Sequence, residues 1–176
     1  MGQLDLILGL CLAVTVFSGA LLDLRSRRIP NWLTVSALIA ALSVRLIWGG
    51  GAEFRSGALA ASIGLGVSFP LFAARALGGG DVKFLTAVCA ILGMDHIWAS
   101  LAATAIAGGV LSLLVAIRRG AVQRTFVLMG RLVQSLVSRM TRGEYSLPPQ
   151  TLSTPGALTV PYGVAIAVGA VVGFYW

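Results

Sequence analysis

The chain has 176 residues, 57% hydrophobic and 11% charged, with a mean hydropathy of +0.92. A soluble domain of this size carries about 25% charged residues, so composition excludes one and requires an integral membrane protein. The net charge of +7 would point to nucleic acid in a soluble protein. Here the arginines gather in a few loops, so the expected partner is anionic lipid and not nucleic acid.

A helical span needs roughly 20 apolar residues. The hydropathy pattern predicts six spans, at 4–22, 31–48, 57–76, 82–96, 97–117 and 159–176, in an all-α bundle forming a single membrane-embedded domain over 1–176. The first carries Asp5 and no base before it, unlike a signal peptide's basic n-region, and is read as a retained span. Pro70 is expected to kink the third, whose Ser62, Gly64, Gly66 and Ser68 allow close helix approach. The fourth is short, because "VKFLTAVCAILGM" ends at Asp95 and His96; burial in the bundle or local thinning would accommodate it. "AGG" at 107–109 and the GxxxG at 169–173 offer further tight contacts.

Between the fifth and sixth spans lies a long basic loop, 118–158. Val122, Phe126, Met129, Val133, Leu136 and Met140 alternate at steps of four and three, with Arg124, Arg131 and Arg139 on another face. That pattern predicts an amphipathic helix lying in the inner head-group plane. Cys11 and Cys89 have no C-x-x-C spacing and His96 is the sole histidine, so no disulfide, metal site or other cofactor is expected.

Charge fixes a topology. With both termini outside, the inner side receives Arg25, Arg27, Arg28, Arg75, Lys83, Arg118, Arg119, Arg124, Arg131, Arg139 and Arg142, eleven of the thirteen basic residues. Arg55 falls outside and Arg45 near the outer end of the second span. Asp5, Glu53 and Asp95 also fall on or near the outer side, and Glu144 in the inner loop. Two acids remain, Asp23 in "ALLDLRSRRIPN" and Asp81 in "GGGDVKF", both at the inner ends of spans.

Each has a plain alternative. Asp23 could pair with Arg25, Arg27 or Arg28, and Asp81 could cap the helix that follows it. Neither alternative explains why the two membrane-edge acids of the inner side share one depth. Two carboxylates within hydrogen-bond range cannot both ionise. The charged one can take a proton from a water that attacks a peptide carbonyl, while the protonated one stabilises the oxyanion and assists the leaving amine. Gly78, Gly79 and Gly80 would let substrate backbone approach Asp81 and let the loop adopt backbone conformations closed to other residues.

"GGGD" fits the GxGD signature of membrane aspartyl proteases. With "DLRSRRIPNWLT" upstream and "VPYGVAIAVGAVVGF" downstream, the chain resembles the type IV prepilin peptidases over nearly its whole length. The resemblance implies a catalytic pair of Asp23 and Asp81, with Gly78, Gly79, Gly80, Lys83, Pro161, Tyr162 and Gly163 binding substrate or shaping the site. For Lys83 the plain alternative is an inner-side base, and for Pro161 a helix start. It further implies cleavage of the basic leader of a prepilin, after a glycine, at the cytoplasmic face of the bacterial inner membrane. Pilus assembly machinery would be a second partner. Longer members insert a four-cysteine zinc motif between the first two spans and also methylate the new N-terminus. The connection from Asp23 to Asn31 has no room for it, so N-methyltransferase activity is not expected and the compact size resembles the Flp/Tad form. An archaeal preflagellin-type peptidase is the alternative within the class. Outside it stand a non-catalytic pilus-assembly protein and a small proton-linked transporter.

Overall fold

The structure, a computed structural model, describes residues 2–26, 29–73, 77–118, 130, 134 and 162–176. The predicted amphipathic helix of the 118–158 loop falls almost wholly outside the described residues, as do Arg27, Arg28, Arg75 and Pro161. The described elements are all α-helical: α1 (Gln3–Ser26), α2 (Asn31–Ala73), α3 (Gly79–Arg118) and α4 (Tyr162–Tyr175). α1, α2 and α3 are long and apolar enough to cross a membrane, and α4 is a shorter apolar helix.

α2 and α3 are not straight rods. Each is broken at one glycine in the left-handed region, Gly50 with φ of 73° and Gly93 with φ of 72°, a conformation that side-chain-bearing residues adopt only under strain. In a continuous helix Arg45 and Gly57 would stand about 18 Å apart. Instead a Cβ placed on Gly57 would lie 2.6 Å from Arg45 Cδ, so α2 doubles back at Gly50. The same reasoning applies to α3. Tyr162 lies against Gly108 and also within the electrostatic reach of Asp81, although 27 residues of unbroken helix would separate those two by about 40 Å.

The predicted third span begins later than the helix does: the chain resumes helical structure directly after Gly50, with Glu53 already in the second arm. Pro70 keeps helical dihedrals, so the break in α2 falls at Gly50 and not at the proline. The fourth segment ends at Gly93, before Asp95 and His96.

That short first arm of α3 is the centre of the bundle. Val82, Phe84, Leu85, Ala87, Val88, Cys89, Ala90, Ile91 and Leu92 are all buried. It needs no lipid-facing length because other helices surround it. Small residues set the spacing: Phe84 lies on Gly19 of α1 and Cys89 on Gly64 of α2, in both cases where a Cβ would stand. On the second arm, Ser100 and Thr104 lie against Gly173 and Gly169 of α4, and Gly108 against Tyr162, so these helices run antiparallel.

The break of α3 at Gly93 is closed by Arg45, a buried residue that hydropathy alone leaves near the end of a span. Its Nε and Nη2 donate to the carbonyls of Ala90 and Ile91 at 3.0 and 2.9 Å, and its Nη1 pairs with Glu53. The carbonyls freed at the end of the first arm are thereby satisfied. Ser56 Oγ accepts the N–H of Met94 at 3.0 Å, capping the start of the second arm.

Candidate active site

Because α2 and α3 reverse, the end of α1 and the starts of α2, α3 and α4 meet at one end of the bundle. The far end gathers the start of α1, the two glycine breaks and the end of α4, where Asp5, Arg45, Glu53, Asp95, His96 and Phe174 line a small pocket. The acids assigned to opposite membrane sides from the sequence therefore lie at opposite ends of the structure.

Asp23 occupies the last turn of α1 and is only 5% exposed. A buried carboxylate needs hydrogen-bond partners, and one of them is the first turn of α4: the Gly163 N–H donates to Oδ2 at 2.8 Å. That N–H belongs to a helix N-terminus with no partner within its own helix. The approach requires glycine, since a Cβ at 163 would lie 2.8 Å from Oδ2 and 2.9 Å from the Cβ of Asp23.

Asp81 sits half-buried in the first turn of α3. The Gly78 N–H is directed at its carboxylate, and the Gly78 carbonyl accepts the N–H of Val82 at 3.2 Å. This is one half of a capping box: the side chain three residues into the helix reaches back to the backbone N–H of the cap, while the cap, a glycine, has no side chain to return the bond. Capping and a chemical role are compatible, because one carboxylate oxygen suffices for the cap.

The two acids are brought together. Gly19 and Asp23 lie one turn apart on α1, Gly80 and Phe84 one turn apart on α3, and Phe84 packs on Gly19. This antiparallel register carries Asp23 to the level of Asp81, and the charge of Asp23 acts on Asp81. The Tyr162 side chain, half-buried beside them, is within reach of the Asp81 charge. Two acids, a tyrosine hydroxyl and two helix N-termini thus share one site.

The three glycines do not take the unusual backbone conformations expected of the loop. None of Gly78, Gly79 and Gly80 has a positive φ; Gly50 and Gly93 do. What they supply is room: a Cβ would lie 2.9 Å from Asp81 Oδ2 at Gly78, 3.3 Å from the Phe72 ring at Gly79 and 3.3 Å from the Ile29 carbonyl oxygen at Gly80. Lys83 is exposed and donates to Asn31 Oδ1 at 2.9 Å. Asn31 and Ile29 also adjoin the Asp81 turn, a placement that the sequence alone does not assign to them. Their place in "IPN", directly before an apolar span, was the available signal.

Against known families, residues 10–113, more than half of the chain, match the type IV leader peptidase family. The matched stretch contains Asp23, Asn31, the glycine run, Asp81 and Lys83. No curated protein and no solved structure matches the chain significantly.

Proposed function

The chain belongs to the type IV leader peptidase family, and from that premise we propose that it is an aspartyl endopeptidase whose catalytic pair is Asp23 and Asp81. The observation that carries the pair is the burial of Asp23, held by the Gly163 N–H, at the level of Asp81. One carboxylate, ionised, takes a proton from a water, and the resulting hydroxide attacks the scissile carbonyl. The other, protonated, donates a hydrogen bond to the developing oxyanion. It then gives its proton to the leaving amine, and the pair acts as a unit without fixed roles. Gly163 N–H orients Asp23, and the Gly78 N–H orients Asp81.

The bundle has six membrane-crossing arms in this reading: α1, the two arms each of α2 and α3, and α4. Both termini face outward, and the carboxylates face the cytoplasm at the inner membrane. The substrate is a prepilin of the Flp/Tad class, with its basic leader in the cytoplasm and its apolar helix in the bilayer. Cleavage follows a glycine. Pro161, Tyr162 and Gly163 shape the site around the scissile bond, and no methyl transfer follows.

The test is co-expression with a Flp-type prepilin, read by gel shift and N-terminal sequencing of the product. A new N-terminus directly after a glycine, absent when either Asp23 or Asp81 is replaced by Asn, is the expected result. Processing that persists in both Asn variants would refute the pair.

A further inference from the structure

The two carboxylates lie on different helices, α1 and α3, and something must hold those helix ends in register. The segment that leaves Asp23 is short: six residues on it reaches Ile29, and eight residues on, Asn31 opens α2. Ile29 is buried and its backbone lies against Gly80, the residue before Asp81, where a Cβ would meet the Ile29 carbonyl oxygen at 3.3 Å and its nitrogen at 3.5 Å. An Asn at a helix start ordinarily turns its side chain to its own backbone. Here Asn31 Oδ1 accepts instead from Lys83 Nζ, 52 residues away, at 2.9 Å. The start of α2 is held in other ways, by Leu33 N–H to the Pro30 carbonyl and Thr34 hydroxyl to the Asn31 carbonyl. The Asn31 side chain is therefore spent on joining two elements and not on capping one.

Lys83 follows Asp81 by two residues, about 200° around the helix. Its ammonium leaves the opposite side of the first turn of α3 from the Asp81 carboxylate. Lys83 thus grips the turn that carries Asp81 from behind, while Gly80 seats the same turn on Ile29.

We propose that Asn31 is a positioning residue, the acceptor half of a clasp with Lys83 that fixes the Asp81 turn against the chain leading out of Asp23. The inference rests on the catalytic reading of Asp23 and Asp81 above. It assigns Lys83 a hydrogen-bonding task in place of a direct electrostatic one on the carboxylates. It also gives the Ile29–Asn31 segment a function: it is the strut that sets the separation of the pair.

The experiment uses purified full-length enzyme in detergent and a purified prepilin-type substrate with a basic leader, a glycine at the junction and an apolar segment. Wild type, Asn31→Ala, Lys83→Met, the double variant, Asn31→Asp and Lys83→Arg are compared for kcat, KM and thermal unfolding. A small misplacement of a catalytic group costs tenfold to a hundredfold, so Asn31→Ala and Lys83→Met each lower kcat by roughly tenfold or more while KM stays within about twofold. The double variant is no worse than the poorer single variant. Asn31→Asp and Lys83→Arg keep an acceptor facing a donor and retain most of kcat. Multiplying losses in the double variant, a rise in KM with kcat unchanged, or equal loss in Asn31→Asp and Asn31→Ala would each overturn the clasp. Asp23→Asn and Asp81→Asn run alongside: cleavage by those two refutes the catalytic reading itself. Their inactivity beside fully active clasp variants refutes only the clasp.

Discussion

The backbone N–H of Gly163 donates to the carboxylate of Asp23 at 2.8 Å, across a sequence separation of 140 residues. This contact ties the last turn of α1 to the first turn of α4 and gives a buried carboxyl group a hydrogen-bond partner. It also explains why position 163 carries no side chain, since the Asp23 carboxylate occupies the space.

Gly163→Ala should therefore displace Asp23 without removing any catalytic atom. Leader cleavage is expected to fall by roughly tenfold to a hundredfold, the cost of misplacing a reacting group by about an ångström. Gly66→Ala, at a glycine with nothing among the described residues within 4 Å of its Cβ position, is the matched control and should cleave as wild type. Equal rates for the two variants would show that the Gly163 contact does not orient Asp23.

Arg45 stabilises the fold at the end remote from the carboxylates. Arg45→Leu leaves the carbonyls of Ala90 and Ile91 unsatisfied and Glu53 without its partner. Removing one member of such a buried set costs about 3 kcal/mol. The expected signature is a large loss in detergent-unfolding stability, with cleavage per folded molecule nearly unchanged. A variant as stable as wild type would contradict the role of Arg45 in closing the end of the short helix.

Much of this fold was legible as apolar segments, because hydropathy reports what must avoid water. The convergence of Asp23 and Asp81 could be expected from topology, and the glycine run from the GxGD signature. Three features were not legible. Gly50 is the middle of three consecutive glycines, and sequence does not say which of them takes positive φ. Arg45 counted as a charge near an outer end, and window averages hide a guanidinium buried by partners on other helices. Asn31 opens a predicted span, and nothing local reveals that its side chain reaches α3. Tertiary contacts between distant segments decide all three, and periodicity carries only local information.

Ser100 and Thr104 present hydroxyls that are buried and lack a hydrogen-bond partner among the described residues, set against Gly173 and Gly169 of α4. A buried hydroxyl without a partner is a cost. Ser100→Ala and Thr104→Val, which keep the shape and remove the polar atom, should be neutral or stabilising. Gly169→Ala should destabilise by about 1–3 kcal/mol through overpacking. Unfolding in graded detergent mixtures measures all three, and a marked destabilisation by both hydroxyl replacements would show that these groups hold a structural hydrogen bond.

The central claim is that Asp23 and Asp81 act as one catalytic unit. Its most direct measurement is the cleavage rate of purified wild type, Asp23→Asn, Asp81→Asn and the double variant on one prepilin-type substrate, with unfolding curves for each. Each single variant should lose cleavage as completely as the double variant while remaining folded, because residues acting as a unit fail together. A folded single variant that still cleaves at a rate near wild type would contradict the account.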